Sequence, residues 1–370
     1  MTAQVLPPTA SPQPPTGEKA LAFPLNDTLP ALGQALQVAP GIFWIRMALP
    51  FALDHINLWL LKDRIDGVEG WTIVDCCLDN PQARSQWAEV FASSLQGLPV
   101  LRVVVTHMHP DHLGLAHWLC AHWQVPLWIS ATDYHTAKNL IAIMPTHDGQ
   151  QAIGFFKSHG LQDESVHDAL RDRTLQFGHM VPALPRQFVR LYDGLKLHIG
   201  GRTWHCISGY GHAPEHIALH CPSINTLISG DMVLPRISSN ISVYDNEPEA
   251  NPLQMFLESL NKFAHLPADC LVLPSHGKPF TGLHQRITQL KHHHAERLTD
   301  IMTACPATGF TANDVLPVLF KREMDAHQIT FALGESLAHL HCLWFAGDLT
   351  RQLRPDGVYS FKPSVATIRP

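Results

Sequence analysis

The sequence predicts an α/β fold followed by a smaller, mainly helical unit. Short apolar runs rich in β-branched residues alternate with segments whose apolar residues recur at helical spacing. This alternation predicts strands covered by helices. After residue 282 the pattern changes to one long helix, two short helices and a two-stranded ending. Three helices followed by a hairpin is the order of a winged-helix unit, so residues 18–282 and 283–370 are expected to form separate domains.

Length and composition predict a soluble globular protein. The 370 residues are 45% hydrophobic and 16% charged, and no apolar run approaches the ~18–20 residues that cross a bilayer. Residues 1–17 carry five prolines and no basic-then-apolar signal pattern, so a flexible leader and a cytoplasmic location are expected. The net charge of -6 disfavours bulk attraction to nucleic acid or to an anionic membrane.

Turn residues and apolar periodicity set the expected order of elements. Strands are expected at residues 42–45, 56–61, 71–75, 100–105, 126–130, 195–199, 203–208, 217–221, 225–229 and 270–274. Asp66-Gly67 and Glu69-Gly70 punctuate a hairpin. Helices are expected at residues 81–95, 113–123, 252–263, 283–304, 315–320 and 336–345. Residues 133–188 look helical and irregular, as in an insertion that caps a site, and residues 349–361 form a hairpin.

The most informative segment holds three histidines and one carboxylate within six residues. These residues are His107, His109, Asp111 and His112. The segment directly follows the apolar run 100–105, so a tight loop at a strand end can aim all four side chains at one point. Histidine suits zinc or iron, while carboxylate oxygen favours a harder, more charged centre.

Three later segments each place one more candidate ligand after an apolar strand or a glycine turn. The glycines of Gly209-Tyr210-Gly211 permit a sharp turn that presents His212. One apolar strand ends in Asp231, and another leads through Pro274-Ser275 to His276. Rigid elements would therefore hold all of these ligands at a single site.

With these motifs the chain resembles the metallo-β-lactamase-fold superfamily over roughly residues 40–280. Residues 107–112 fit its His-x-His-x-Asp-His signature, and the later candidates follow in the order of its other ligand motifs. The resemblance implies a four-layer αββα sandwich with two metals at one edge. By that analogy the first metal is held by His107, His109 and His212, the second by Asp111, His112 and His276, and Asp231 bridges them.

The tail carries a second, less specific resemblance. The segments 293–298 and 334–340 and the late Gly347 look like the winged-helix extension of the human lactamase-beta-like-2 group and its bacterial relatives.

One departure from the superfamily pattern concerns Asp75-Cys76-Cys77, where the superfamily often reads Asp-Thr-Gly. Asp75 is expected to hydrogen-bond and orient the histidine loop, while the missing glycine leaves the local geometry open.

The resemblance implies hydrolysis by a hydroxide between two cations. Two divalent cations ~3.5–4 Å apart lower the pKa of a shared water toward neutrality. Asp111 is expected to ligate one metal, orient the hydroxide and accept its proton, while the second metal neutralises the developing oxyanion or leaving group. Zinc is the expected metal, with iron and manganese left open.

No cysteine nucleophile is needed for this chemistry. The eight cysteines show no Cys-x-x-Cys pair, and most stand beside apolar residues, which favours buried thiols over disulfides. Cys76 and Cys77 follow a strand but lack an evident base partner, so covalent thiol catalysis is not favoured.

Other polar residues near these motifs could support the ligands or contact a substrate. His216 could back a ligand or line the pocket, Tyr210 and Tyr244 could donate to a substrate oxyanion, and Lys278 and Arg236 could bind a substrate carboxylate or phosphate. Ordinary packing or solvated charge competes with each of these roles. In His292-His293-His294 successive side chains point about 100° apart, which favours a partly exposed helix face over a metal site.

The favoured substrate is a thioester or related ester, as in glyoxalase II-like relatives, because an acyl carbonyl suits a metal-hydroxide site. The first alternative is a single-strand endoribonuclease, which the tail's resemblance supports. It is weakened because residues 287–370 hold eight basic and eight acidic side chains, whereas nucleic-acid-reading units are usually basic. A binding protein that keeps its metals without turnover is the second alternative. No membrane partner is expected, and a homodimer is left open.

Overall fold

The computed structural model describes residues 20–143 and 148–364, so the expected leader, residues 1–17, lies outside the described residues. Its strands are β1 (Leu36–Ala39), β2 (Ile42–Ala48), β3 (His55–Ile65), β4 (Val68–Val74), β5 (Val100–Val104), β6 (Leu127–Ser130), β7 (Phe188–Leu191), β8 (Lys196–Ile199), β9 (Arg202–Gly209), β10 (His216–Cys221), β11 (Thr226–Gly230), β12 (Leu271–Pro274), β13 (Leu349–Leu353) and β14 (Tyr359–Pro363). Its helices are α1 (Pro81–Ser93), α2 (Pro110–Leu113), α3 (Ala116–Trp123), α4 (Ala131–Ile143), α5 (Gln150–Lys157), α6 (Glu164–Met180), α7 (Pro252–Phe263), α8 (Leu283–Ala304), α9 (Ala312–Leu319) and α10 (Ala326–Ala346).

Two sheets form the centre of the molecule. The larger has seven strands in the order β1-β2-β3-β4-β5-β6-β7, and the smaller has five in the order β12-β11-β10-β9-β8. Strands β4 to β7 run parallel to one another, as do β11 and β12, while the remaining neighbours in these two sheets are antiparallel. The carboxyl ends of β4, β5, β11 and β12 lead into the segments that carry most of the candidate ligands.

Three apolar clusters separate the layers. One lies between the two sheets and includes the fully buried Trp44, Trp59 and Trp204. A second packs the outer face of the larger sheet against α1 and α3, and a third packs the smaller sheet against α7, α8 and the C-terminal helices. Helix, sheet, sheet, helix is the αββα order that the resemblance implied, and the fold prediction is confirmed.

Strands that are covered on both faces read as continuous apolar runs. Every residue of β10 and β11 is buried, which is why both were recognisable in the sequence. The hairpin between β3 and β4 turns at Asp66 and Gly67, whose φ angles are 51° and 83°. Positive φ at both central residues is the geometry of a two-residue hairpin turn with the right twist.

Two edge strands and part of one helix were not predicted from the sequence. β1 and β7 form the two edges of the larger sheet, and both are short and largely half-buried, so their apolar pattern is weak. The predicted helix 336–345 is the second half of α10, which begins ten residues earlier. There Asp325 and Gln328 form a capping box, the side chain of each accepting a backbone N–H of the other.

The single helix predicted at 113–123 is wrong, since the chain forms α2 and α3 with a break at Gly114 and Leu115. The backbone N–H of Leu115 donates to the carbonyl of Cys77, 3.0 Å away, rather than to the carbonyl four residues earlier. This bond ties the histidine loop to the turn after β4. The break is therefore a consequence of how the site is held.

The expected insertion, residues 133–188, contains α4, α5 and α6. Its apolar side chains Ile153, Phe156 and Leu170 share a core cluster with Phe310 and Leu316 of the C-terminal segment. Helix α6 also packs against α2 and α10. The insertion therefore connects the ligand-bearing loop to the C-terminal helices.

The C-terminal segment consists of α8, α9, α10 and the antiparallel pair β13 and β14. Within the described ranges, no helix has both the length and the apolar character that spanning a bilayer requires. The boundary at residue 283 and the winged-helix assignment stay predictions.

Candidate metal centre

The four ligand candidates of the first motif lie on the loop after β5 and on the short helix α2. His107 and His112 are fully buried, and Asp111 and His109 are partly exposed. Pro110 occupies the first turn of α2, where a missing N–H costs nothing. A rigid turn thus presents buried and accessible ligand atoms from one short segment.

Four side chains form the first group, with one ligand atom each within 4.8 Å of the others: His107, His109, His212 and Asp231. His107 Nε2 lies 2.9 Å from His109 Nδ1 and 3.2 Å from His212 Nε2. His109 Nδ1 lies 3.1 Å from His212 Nε2. Two ligand nitrogens of a tetrahedral zinc site lie about 3.3 Å apart, so the spacing suits a metal.

Asp111, His112 and His276 form the second group. His276 Nε2 lies 3.4 Å from Asp111 Oδ2, and His112 Nε2 lies 3.7 Å from the same oxygen. Asp111 is the most accessible of these three side chains, at 18% exposure. It is therefore the member of this group that a reacting molecule can reach.

Asp231 faces both groups with different oxygens. Its Oδ2 lies 3.2 Å from His212 Nε2, and its Oδ1 lies 3.6 Å from His112 Nε2 and 3.5 Å from His276 Nε2. One carboxylate is thus placed between two sets of ligand atoms. This is the position that the resemblance gave to a bridging ligand.

Two unsatisfied atoms indicate that the site fits a cation. His112 Nε2 and Asp231 Oδ1 are buried and have no hydrogen-bond partner in the described part of the chain, although buried polar atoms are normally paired. Both atoms point to the second group, where a bound ion would satisfy them. Imidazole nitrogen together with carboxylate oxygen is a donor set that divalent transition metals accept.

The electrostatics of the site also favour cations. Burial is the largest effect at His276 and lowers its pKa, but the carboxylates of Asp231 and Asp111 outweigh it and raise that pKa to about 10. Burial opposes ionisation of Asp111, yet His112 and His276 lower its pKa to about 2. At His109 burial, and then His212, lower the pKa to about 3. The carboxylates are thus ionised and demand positive charge, while His109 is neutral, as a metal ligand must be.

The second ring nitrogen of several candidate ligand histidines is held by a neighbouring acceptor. His212 Nδ1 donates to the carbonyl of Asn240 and His276 Nδ1 to the carbonyl of His55, each across 2.8 Å. His112 Nδ1 lies 2.8 Å from Asp75 Oδ2. Such bonds fix the orientation and tautomer of a ligand imidazole, so the free Nε2 atoms are aimed at the site before any ion arrives.

Asp75 connects the turn after β4 to the histidine loop. Besides His112, its carboxylate accepts hydrogen bonds from the backbone N–H and the hydroxyl of Thr106, at 2.8 and 2.9 Å. Cys77 stands where the superfamily often has glycine, and it still adopts the left-handed conformation that glycine favours, with φ 69°. Asp75 is also left-handed, with φ 64°. Non-glycine residues in this region carry strain, which the surrounding hydrogen bonds must hold.

His216 lies behind the first group. Its ring centroid is 4.9 Å from that of His107, and its Nε2 accepts the backbone N–H of Asp231 at 3.1 Å. Gly230 packs so closely on this ring that a Cβ there would clash with it. Of the two interpretations left open, the contacts favour support for a ligand over a place in the pocket.

Asp133 was not identified from the sequence, where it only marked the start of the insertion. It is fully buried, and its two carboxylate oxygens accept the backbone N–H groups of Met108 and Glu215, each at 2.7 Å. Met108 stands between two ligand histidines, and Glu215 lies three residues after His212. Asp133 therefore fastens two ligand loops to one another, over 25 and 82 residues of chain.

Asp133→Ala should lower stability and weaken metal binding, because it leaves two buried N–H groups without acceptors, at about 1–3 kcal/mol each.

Burial raises the pKa of Asp133 to about 7, against the effect of its two backbone bonds. The folded state then binds more protons than the unfolded state between about pH 4 and 7. The wild type should therefore lose stability relative to the variant as pH rises through that window. Denaturant unfolding of both chelated proteins at pH 4.5, 6 and 8 measures this, with Asp168→Ala as surface control. A pH-independent difference would contradict it.

The remaining candidates lie at different distances from the ligands. The ring of Tyr210 lies under the ammonium of Lys262, and its backbone N–H donates a hydrogen bond to the hydroxyl of Ser259 on α7. Lys278 is engaged at the surface, 2.7 Å from Asp27. Arg236 is exposed. The hydroxyl of Tyr244 accepts a hydrogen bond from Arg173 of α6.

The cysteines and the histidine run 292–294 were each expected to take no direct part in the reaction. All eight cysteines are free thiols. Burial raises the pKa of Cys77 to about 12 and also raises the pKa of Cys76 well above its ordinary value, so neither is a ready nucleophile. In the run 292–294, His292 is on the surface with Glu296, while His294 is buried against His339 and Phe256. No third group of metal-ligating side chains occurs among residues 20–143 and 148–364.

Comparison with known proteins agrees with this geometry. The family described as the metallo-beta-lactamase superfamily matches residues 53–276, and the family described as the metallo-beta-lactamase-like, C-terminal domain matches residues 298–364. The chain is similar to the probable metallo-hydrolase YqjP of Bacillus subtilis (strain 168), with 23% identity over 320 residues that cover 85% of this chain and 96% of the relative.

Solved structures extend the likeness over nearly the whole chain. A beta-lactamase domain protein from Burkholderia ambifaria has 50% identity and a TM-score of 0.89, covering 94% of this chain and 99% of its own. A metallo-beta-lactamase family protein from Thermus thermophilus has 27% identity and a TM-score of 0.71, covering 88% of this chain and 99% of its own. The chain therefore belongs to the metallo-beta-lactamase superfamily, and its residues 298–364 match the C-terminal domain family described above.

Proposed function

We propose that this protein hydrolyses a thioester or related ester with two divalent metal ions, zinc being the expected metal. The observation that carries the proposal is Asp231, whose two oxygens face separate groups of ligand atoms. His107, His109 and His212 would hold one ion, and Asp111, His112 and His276 the other, with Asp231 shared. When bound, such a pair supplies Lewis acidity and an activated water near neutral pH.

The protein itself contributes one carboxylate base, Asp111. Asp111 is ionised, since its pKa is lowered to about 2 by His112 and His276 against the effect of burial, and it is partly exposed. It can therefore orient an attacking water and accept its proton. Because a pKa that low makes the carboxylate a weak base in the resting site, its effect as a base depends on close positioning against the attacking water.

An acyl substrate is favoured over RNA by the charge and packing of the C-terminal segment. Its acidic and basic side chains balance, eight against eight from residue 287 onward, whereas nucleic-acid binding depends on many cationic contacts. The buried Arg286 of α8 donates to the carbonyls of Leu234 and Ile237. The segment thereby holds the stretch that follows Asp231, which supports a structural role.

Turnover before and after chelation tests the proposal. The protein as purified should hydrolyse at least one member of a thioester and ester panel, lose more than about 99% of that rate after metal removal, and regain it with zinc, iron or manganese. Metal analysis should find two ions per chain. Cleavage of single-stranded RNA with inert thioesters would support the endoribonuclease instead, and bound metal with no turnover of either panel would support a silent binding protein.

A further inference from the structure

Arg173 of α6 is a cation whose described hydrogen bonds go to neutral groups. No carboxylate of the described residues forms an ion pair with it, although its neighbour Arg171 pairs with Asp168. Its guanidinium instead donates to two neutral oxygens, from Nη1 to Thr330 Oγ1 and from Nη2 to the hydroxyl of Tyr244, each across 3.3 Å. With these two acceptors among the residues described, three of its five N–H donors are left for another acceptor.

The surroundings of Arg173 are aromatic. The guanidinium carbon lies 3.7 Å from the ring centroid of Phe331 and 5.4 Å from that of Tyr244. Arg173, Phe331 and Tyr244 are all half-buried. A partly desolvated charge is costly when it lacks a counter-charge, and a flat guanidinium held on a ring presents its donor edge in a fixed direction. This arrangement is suited to receiving an oxyanion.

Packing and chain connections link the surroundings of Arg173 to the metal centre. Its helix α6 packs against α2, which carries Asp111 and His112. Its partner Tyr244 lies four residues after Asn240, whose carbonyl accepts from the ligand His212 at 2.8 Å. Four residues of extended chain span at most about 14 Å, so Tyr244 is within the reach of a substrate whose scissile bond sits at the ligands.

The chain between Asn240 and Tyr244 is itself held in place. Ser242 Oγ donates to the side-chain oxygen of Asn240 at 2.8 Å, and the backbone N–H of Val243 donates to the carbonyl of Gly334 at 3.1 Å. Gly334 lies on α10, three residues from Phe331. Hydrogen bonds and short chain segments therefore connect Asn240, which holds His212, to Tyr244 and to Phe331 under Arg173.

We propose that Arg173, with Tyr244, forms an oxyanion subsite that binds a carboxylate or phosphate group carried by the substrate at a distance from its scissile carbonyl. The inference rests on the proposed function, because it names the class of ester that the metal centre would act on. A neutral ester lacks the group that Arg173 binds, so charge at the far end of the substrate determines specificity.

A set of three thioesters of equal length tests this inference, ending in a carboxylate, a phosphate or a neutral carboxamide. Arg173→Met keeps an apolar chain on Phe331 and removes the donors. It should lower kcat/KM about 10–100-fold for the preferred anionic substrate, the range expected when hydrogen bonds to a charged group are lost, and leave the carboxamide substrate within about twofold. Arg173→Lys keeps the charge without the fork and should give an intermediate loss. Arg171→Met, on the exposed face of the same helix, is the matched control.

The comparison of carboxylate and phosphate arms decides which oxyanion is preferred. An equal fall for all three substrates, or no preference for charge in the wild type, would overturn the subsite. Calorimetric binding of the carboxylate-ended and carboxamide-ended product analogues gives a readout without turnover, and the charge preference should vanish in Arg173→Met. If no thioester is hydrolysed while this binding preference persists, the proposed function fails and the subsite stands. If turnover occurs without the preference, the reverse holds.

Discussion

Replacing Asp231 by alanine should remove most of the metal and lower kcat/KM by at least about 10³-fold. The carboxylate lies between both groups of ligand atoms, 3.2 Å from His212 and 3.5 Å from His276, so its loss affects both ions at once. Residues that act as a unit in a site show effects of this size when one is deleted. Metal content per chain and hydrolysis of the identified substrate measure the two consequences.

Asp269→Ala is the matched control for this variant, because Asp269 is an exposed aspartate whose side chain accepts a hydrogen bond from Asn225 on the surface, away from the ligands. The control should retain full metal content and activity. Two ions per chain in Asp231→Ala, with unchanged turnover, would show that Asp231 bridges nothing. The proposed centre would then be wrong as drawn.

The two groups of candidate ligands could be predicted from the sequence because most of their members are marked by local patterns. The motif of residues 107–112 lies on one turn after one strand, and apolar runs announce the strands that lead to Asp231 and His276. Gly211 adopts φ 94°, as the expected turn before His212 requires. In each case a short-range pattern fixes where the side chain stands. Only the meeting of the segments depends on the fold, and the resemblance supplied that.

Two supports of the site, Asp133 and Asn57, could not be predicted because their partners are distant in sequence and no motif marks them, as one does for Asp75. Asp133 binds backbone groups 25 and 82 residues away. Asn57 donates to the carbonyls of Pro274 and Gly277, 217 and 220 residues away, and thereby holds the His276 loop. A buried amide or carboxylate has no periodicity that announces its role. One available signal was the polar residue within the apolar run of β3, which needs a partner when it is buried.

The start of α10 was missed for a different reason. Its first turns contain Thr330, Phe331 and Gly334, which are weak helix formers, and their pattern hid the capping box at Asp325. A Cβ at Gly334 would lie 2.8 Å from Ser242, so the residue that weakens the helix is also the one that lets α10 approach the stretch carrying Asn240. Tertiary contact, rather than propensity, decides this element.

Asp111→Asn is expected to separate metal binding from catalysis within the same site. The amide keeps an oxygen near His276 but loses the charge of a carboxylate whose pKa is lowered to about 2, so it cannot accept a proton. We expect hydrolysis to fall by at least about 10³-fold, since losing a positioned base costs about 10²–10⁴-fold and weaker binding of the second ion adds to this.

The group formed by His107, His109, His212 and Asp231 does not include this residue. Metal analysis should therefore find at least one ion per chain in Asp111→Asn and fewer ions per chain in Asp231→Ala. Wild-type turnover in Asp111→Asn with two ions bound would remove Asp111 from the mechanism. Loss of all metal would instead show that the two groups bind as one unit, because a charge removed from the second group would then also have emptied the first.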